Sequence, residues 1–590
     1  MEGGIELKLL FHYMGRHLRR IGLGMTVKVA AAFLELLIPY VLEYIIDRLA
    51  PQGRAAPVIA WGLVMAGLAW SVRWGNIFAN QSAVAVSRDC TRDLRQDLFS
   101  RTLTLSGRQA DRFGLPSLIS RMTSDSYNVQ NFITSIQTVG VRAPIMLVGG
   151  VCVALTMDAA LASVLCVLAP VMTAIVILVS WKGIPLYDRV QQEVDRMTRV
   201  MRENVTGVRV VKALHKEEYE ERRFQEVNRR LTRSDLTAST VMAIPAPAVQ
   251  LFMNLGLILV VLVGARRVDS GAAEPGVILA FLIYFNLILH SAMSFNRIFL
   301  LLSKAAASAD RIAEVLRTPE DQPVLPEGER RENGALIEFD HVSFTHAGTR
   351  AAGSAASFAG SRPGKCLDGI TFRLGPGETL GIIGHTGSGK STLIRLLMRF
   401  YDADEGTVYV EGRDVRTWNK RELREKFGAA FQSDVIFAES IRENITLGRP
   451  LTDRQVLQAA EDAMALDFIA QKSGGLDHGA DIKGANLSGG QKQRLCIARA
   501  LAARPEILIL DDAASALDYR TDARLRQALR EGYPEAAVII AAQRVSSIMG
   551  ADLILVLEDG RITGAGRHGE LLERCPVYRD IYQSQMGDLA

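Results

Sequence analysis

One run of residues, Gly384-His385-Thr386-Gly387-Ser388-Gly389-Lys390-Ser391-Thr392, has the spacing that wraps phosphate. It follows the strand-like LGII and opens the helical pattern STLIRLLMRF. Glycines let successive backbone N–H groups turn inward around phosphate oxygens, and the helix that follows adds its positive end. Lys390 then reaches the β- and γ-phosphates of a nucleotide, and Ser391 offers a hydroxyl to Mg²⁺. Further along, four apolar residues, Ile507 to Leu510, precede Asp511. That is the pattern of a buried strand carrying a carboxylate to the metal at its C-terminal edge. Between these two features lies Leu487-Ser488-Gly489-Gly490-Gln491, ahead of the helical KQRLCIARALA.

The LSGGQ pentapeptide, in this position between a P-loop and an acidic strand end, resembles the signature of ABC transporters. The resemblance implies that Ser488 and Gly490, at a helix N-terminus, contact the γ-phosphate of ATP held by the opposite nucleotide-binding domain. Gln432, in AAFQSDVIF, matches the Q-loop glutamine that touches Mg²⁺ and faces the membrane part. Ser515-Ala516-Leu517-Asp518 matches the D-loop that crosses the dimer interface. On this reading the P-loop residues, Gln432 and Asp511 hold ATP, and Ser391, Gln432 and Asp511 serve the Mg²⁺, Asp511 directly or through water.

Three positions depart from the family pattern. Where the family has Glu as general base, this chain has Asp512, one methylene shorter. A base must come within about 2.6 to 3.2 Å of its proton, and a misplacement of about 1 Å can cost roughly a hundredfold in rate. Where the family has a switch histidine, the chain reads Ala542-Gln543-Arg544. Gln543 can donate a hydrogen bond but cannot carry the charge of an imidazolium. In VSFTH, His346 occupies the place of the tyrosine that stacks on adenine. The signature itself is intact. The combination resembles the degenerate-site subunit of heterodimeric exporters, whose own pocket turns over slowly while its serine-glycine tip completes the companion's pocket.

These residues need two kinds of scaffold. The chain has 590 residues, 48% hydrophobic and 22% charged, with a mean hydropathy of +0.13. That is too apolar for a wholly soluble chain and too polar for a purely membrane one. The net charge of +4 is too small for wrapping nucleic acid. Six scattered cysteines, with no pair at metal-binding or redox spacing, suit a reduced compartment. The N-terminus has no removable signal peptide pattern, so the first membrane helix serves as insertion signal.

Six stretches approach the roughly 20 residues needed to cross a bilayer: 22–46, 57–80, 136–156, 159–181, 243–264 and 276–302. The segment to residue 21 and the long loops 81–134 and 182–242 carry 24 Lys and Arg, against 4 in the three short connections. The positive-inside bias puts the N-terminus and the long loops in the cytoplasm, in a cytoplasmic (inner) membrane. The long loops keep apolar residues at helical spacing and read as helices continuing beyond the membrane. DRFGLPSLISRMTSDSYNVQ and ENVTGVRVVKALHKEEYEERRF resemble the two intracellular loops of type IV exporters, with short coupling helices near Arg112 to Leu118 and Thr206 to Val211.

The expected organisation is an all-α six-helix transmembrane domain over 1–317, a linker rich in Pro, Glu and Arg over 318–334, and an α/β P-loop nucleotide-binding domain over 335–590. An Ala/Gly/Ser-rich loop interrupts the latter at 347–363. Within the spans Glu35, Glu43, Arg73, Asn254, Asn286, His290 and Asn296 are polar and are candidates for a mostly apolar substrate cavity suited to amphipathic compounds or lipids. The resemblance implies ATP-driven export by alternating access, with a second ABC half-transporter as partner. Two other readings keep the same residues: an exporter-fold importer of a metal chelate, and a membrane protein that binds ATP as a regulator without pumping.

Overall fold

The computed structural model describes residues 4–346 and 365–587, apart from the side chains of 4–8 and of scattered positions between 169 and 300. The loop at 347–363 and the side chain of Asn296 lie outside the described residues. The chain forms two compact units, Met1–Leu103 with Pro116–Thr318, and Thr104–Leu115 with Pro319–Ala590.

The first unit is built of long helical rods: Leu18–Gln52, Ala55–Thr104, Leu115–Met157 and Glu217–Asp269, together with Ala159–Ala213 and Pro275–Arg317. Among the described residues the first four carry a stretch long and apolar enough to cross a membrane, and the last two contribute the apolar segments Ala159–Leu168 and Pro275–Ser291. The six expected spans fall inside these rods. At about 1.5 Å per residue a 50-residue helix such as Ala55–Thr104 runs about 75 Å, far beyond a hydrocarbon core of about 30 Å. Its polar extension is therefore helix, as are the polar portions of the neighbouring rods. On these extensions Arg223 pairs with Glu220 one turn away and reaches across to Glu203 of the preceding rod at 2.6 Å.

Apolar packing and small residues bring the rods together. Ala32, Leu36, Met146, Leu165, Phe285 and Ile288 are buried in one cluster with Tyr284, whose hydroxyl donates to the Leu36 carbonyl at 2.5 Å. A Cβ on Gly256 would come within 2.1 Å of the Phe285 ring, so only glycine permits that approach. Asp158 caps the helix Ala159–Ala213 by accepting from Ala160 and Leu161 N–H, and it also accepts from Arg267 Nε at 2.7 Å. Buried Asp125 pairs with Arg311 and accepts from Ser308 Oγ at 2.9 Å, tying the third rod to the sixth.

The expected short helix at Thr206 to Val211 is not separate. The rod continues through Ala213, and the chain reverses only at Leu214–Lys216 before the helix Glu217–Ala243. No glycine or proline breaks the helical pattern between 208 and 213, so the rod propagates to its end. The first expected coupling helix is divided. Gly107–Phe113 is one helix, Gly114 adopts φ +72°, and a second helix begins at Leu115.

The second unit has two sheets. The larger runs in the order β10-β9-β3-β8-β7-β6, from Thr379–Ile383 (β3), Phe427–Ala430 (β6), Ile507–Asp511 (β7), Ala537–Ala542 (β8), Leu553–Glu558 (β9) and Arg561–Gly566 (β10). All of its pairs are parallel except the β10 edge. An antiparallel sheet in the order β2-β1-β4-β5 lies in the same unit, with β1 over Ile337–Phe344, β2 over Leu367–Leu374, β4 over Glu405–Val410 and β5 over Arg413–Asp414. The helix Gly107–Phe113 packs into this unit: Gly107 N–H donates to the Phe400 carbonyl at 3.1 Å, and Tyr401 Oη donates to Asp111 at 2.5 Å.

Arg399 is the largest fully buried side chain of the unit, at 1% exposure. Its guanidinium donates to Asp402 at 3.1 Å, to the Pro323 carbonyl at 2.7 Å and to the Trp418 carbonyl at 3.3 Å. Removing one partner of a buried, hydrogen-bonded ion pair costs about 3 to 5 kcal/mol. Arg399→Met is therefore expected to destabilise this unit by about 3 kcal/mol, read as a fall of roughly 6 to 12 °C in the unfolding transition of the full chain by scanning fluorimetry. A transition unmoved by the substitution would refute this role.

Candidate functional site

The strand β3 delivers its chain directly into the phosphate-binding run. A Cβ on Gly384 would sit 2.2 Å from the Leu557 carbonyl oxygen, and one on Gly389, at φ +105°, would sit 2.6 Å from the Leu367 side chain. Only glycine allows these approaches. His385, Thr386 and Gly387 form the exposed crest, while Ser388, Lys390 and Thr392 are buried and Ser391 half-buried. Lys390 begins the helix Lys390–Leu397. Its ammonium folds back to donate to the Gly384 carbonyl at 2.6 Å and the His385 carbonyl at 3.0 Å. Burial lowers its pKa, partly opposed by Asp512 and Asp511. Ser388 Oγ is buried without a hydrogen-bond partner among the described residues. A cation resting on its own loop and an orphaned hydroxyl are what a phosphate oxygen would satisfy.

Asp511 ends β7, every residue of which is buried, and lies opposite Ala541 of β8. Burial pushes its carboxyl up, and a hydrogen bond from Ser391 works against that shift. The structure thus brings together Ser391 and Asp511, two residues expected to serve Mg²⁺. Gln432, two residues beyond β6, is exposed.

Asp512 holds a left-handed backbone, φ +53°, and its N–H donates to the Ala541 carbonyl at 2.8 Å. Gln543 Nε2 donates to Asp512 Oδ2 at 2.7 Å, so the two altered positions are bonded to each other. The segment around Gln543 is clamped from the helix Pro576–Met586: Gln585 Nε2 donates to the Gln543 carbonyl at 2.7 Å, and Gln585 Oε1 accepts from Val545 N–H at 2.8 Å.

Ser488 caps the helix Gly489–Leu501 in a capping box. Its hydroxyl accepts from Gln491 N–H, and Gln491 Oε1 accepts from Ser488 N–H at 3.0 Å. Ser488 and Gly489 are exposed. A Cβ on Gly490 would lie 3.2 Å from the Ala516 carbonyl, which fixes how closely the segment Ser515 to Asp518 approaches. Gln493 grips that segment, donating to Ser515 Oγ at 2.9 Å and accepting from Ala516 N–H at 2.8 Å. Arg544 donates to the Ser515 and Leu517 carbonyls from the other side. Sequence reasoning missed Gln585 and Gln493, since a lone glutamine on a helix carries no local signal of its distant partner.

His346 is partly buried, its ring edge-on to Phe344 at 4.9 Å and to Tyr401 at 5.3 Å. Burial lowers its pKa, with Arg395 acting in the same direction, so the neutral imidazole is favoured.

In the membrane unit Glu35 and Arg73 line a cavity of about 760 Å³, joined by Lys28, Asn76, Asn80 and Arg142. The cavity thus carries charged groups within a lining whose surface is more apolar than polar. Lys28 and Glu35 lie on one rod, Arg73 on a second and Arg142 on a third, so these charges face one another only after packing and no single segment reveals them. Glu43 is not part of this lining. Asn286 donates to the Leu282 carbonyl, His290 Nδ1 lies 2.9 Å from the Asn286 carbonyl oxygen, and Asn254 accepts from Gln250 at 3.4 Å, all within their own helices.

The sequence matches the ABC transporter transmembrane region family over residues 21–293 and the ABC transporter family over residues 367–515. It is 34% identical over 589 residues to an uncharacterized ABC transporter ATP-binding protein of Mycobacterium tuberculosis, covering 98% of each chain. It is 30% identical over 526 residues to an ATP-dependent lipid A-core flippase of Nitrosococcus oceani, covering 89% of this chain and 86% of that one. Its fold is similar to that of a bacterial Atm1-family ABC exporter solved with ATP bound, with a TM-score of 0.79, 24% identity, and coverage of 97% of this chain and 99% of the other. A phosphate-binding loop, an acidic strand end and a capped signature helix on one α/β unit, joined to a unit of membrane-length rods, thus meet near full-length similarity, and the chain belongs to the ABC transporter family as a multi-pass membrane protein bearing an ATP-binding transport ATPase.

Proposed function

We propose that this chain is one half of an ATP-driven exporter of amphipathic compounds or lipids, paired with a different ABC subunit and holding the degenerate ATP site of the pair. The observation that carries the reading is the 2.7 Å hydrogen bond between Gln543 and Asp512, set beside an intact, capped Ser488 tip. An Asp512 carboxylate bound to an amide, and one methylene short, is poorly disposed to accept a proton from an attacking water. Gln543 brings no positive charge to a phosphate on which negative charge develops. Ser488 and Gly490 carry no such impairment and are free to finish a companion's site. The lipid A-core flippase among the relatives supports a lipid or amphiphile as cargo. The 24 Lys and Arg on the N-terminal segment and long loops support a cytoplasmic placement of the ATPase in an inner membrane.

In this reading Lys390 leaves its own loop carbonyls for the β- and γ-phosphates, and the Gly384–Gly389 amides and Ser388 hydroxyl hold the phosphate oxygens. Ser391, Asp511 and Gln432 fit Mg²⁺, which when bound neutralises charge on the phosphates. His346 turns from Phe344 and Tyr401 to stack on adenine. Closure of the two nucleotide-binding domains drives the membrane cavity from inward to outward opening. Residues 1–317, 318–334 and 335–590 serve as membrane domain, linker and ATPase domain.

Purified without a companion, the chain should bind ATP and hydrolyse it slowly. The double variant Asp512→Glu, Gln543→His should raise its turnover on the order of a hundredfold. Fast hydrolysis by the unaltered chain alone, in a phosphate-release assay, would sink the degenerate-site reading. Loss of the charge-assisted bonds of Lys390 in Lys390→Ala should weaken ATP binding by at least about tenfold in a fluorescent-nucleotide titration. Ser488→Arg should leave ATP affinity of this chain unchanged and stop turnover of the reconstituted pair; a pair that still turns over would show that this tip completes no second site.

A further inference from the structure

The cavity in the membrane unit holds more positive charge than it cancels. Arg142 forms a two-pronged pair with Glu35, Nε to Oε2 at 3.1 Å and a terminal nitrogen to Oε1 at 2.7 Å, and these two charges offset each other. Lys28, only 5% exposed, donates to Asn76 Oδ1 at 2.7 Å and Asn80 Oδ1 at 3.0 Å. Both acceptors are neutral amides, which orient the ammonium without neutralising it. Arg73 lines the same space and makes no ion pair among the described residues. Two cations therefore remain uncompensated around about 760 Å³. Charges at membrane depth are costly and persist where they meet a partner, another charge or a water-filled path.

The lining also has a depth. It comes from 28–38, 69–84, 134–143 and 291–294. The segments 69–84, 134–143 and 291–294 lie in the half of their spans, or at the span end, next to the polar helical continuations, and Lys28 lies in the half of 22–46 next to the N-terminal segment, while Glu35 and Ile38 lie past its middle. Ile38, Val72 and Val139 add apolar wall to the same cavity. A headgroup held by Lys28 and Arg73 would thus sit on the side of the bilayer from which the continuations project, with its apolar portion against aliphatic side chains.

We infer that this cavity is a binding site for the anionic group, phosphate or carboxylate, of an amphiphile, and that it selects against cationic amphiphiles. The inference rests on the export reading for its role in transport and adds the sign of the cargo's charge. Lys28, fixed by Asn76 and Asn80, is the preset cation; Arg73, on the next turn of the same helix as Asn76, is the adaptable one.

The test is binding to the full chain in a neutral maltoside detergent without nucleotide, by thermophoresis, with three probes: dodecyl phosphate, dodecyltrimethylammonium and inorganic phosphate. Dodecyl phosphate should bind, and the trimethylammonium of the same tail should not. Arg73→Ala and Arg73→Glu should weaken dodecyl phosphate by at least about tenfold, and Arg73→Lys should retain most of the affinity. Arg73 is exposed within its helix, so these variants keep the fold. Inorganic phosphate binding as tightly as dodecyl phosphate would support the anion site and assign a soluble source; weaker inorganic phosphate would assign an amphiphile. Equal binding of the two dodecyl probes, or an Arg73→Glu variant with unchanged affinity, would overturn the proposal. Because no nucleotide is present, that failure is separate from a failure of the ATP-site tests.

Discussion

The nucleotide site rests on the parallel register of three adjacent strands. Ile383 of β3 lies opposite Ala542 of β8, and Asp511 of β7 lies opposite Ala541. That alignment brings the start of the phosphate loop, Asp511 and the Asp512–Gln543 pair to one edge of one sheet. A slip of a single residue in β7 would turn Asp511 to the other face and separate it from Ser391. The register is in turn held by burial, since β7 is buried along its whole length and β8 nearly so. A continuous apolar run is what a strand covered on both faces requires. The chemistry at the edge is thus secured by side chains that do no chemistry.

Much of this was legible in the chain itself. The phosphate loop, the acidic strand end and the signature are local patterns, and each falls in a structural context that its residues dictate nearby. The parallel sheet followed from short β-branched runs alternating with helical ones. The second, antiparallel sheet did not: β1 pairs with β2 and with β4 across long separations, and their alternation resembles that of other half-buried strands. The same reason hid Gln585, Gln493 and the partners of Lys28. A glutamine's role is set by whichever backbone amide it meets, and its sequence neighbours do not state which. The bond between Asp512 and Gln543 could be anticipated as two losses, but the register alone brings them into contact.

The membrane unit shows a division of labour between packing and charge. Where rods meet closely, glycines such as Gly150 and Gly256 leave room for the facing side chains, and the buried Tyr284 hydroxyl is bonded to the Leu36 carbonyl. Where they part, around Lys28 and Arg73, polar groups gather instead. Hydrocarbon supplies no hydrogen bonds, so a rod must either pack its polar atoms against protein or place them on a wet cavity. Outside the spans, Asp125 with Arg311 and Asp158 with Arg267 fasten one rod to another by charge.

The clamp by Gln585 has a consequence for how the molecule is made. The chain emerges from the ribosome N-terminus first, so β3, β7 and β8 are available to pair before the helix Pro576–Met586 exists. Until that helix arrives, the Gln543 carbonyl and the Val545 amide lack the partner that later fixes both. The hold on the Gln543 segment therefore comes from a helix some 40 residues further along the chain and forms only once that helix is in place.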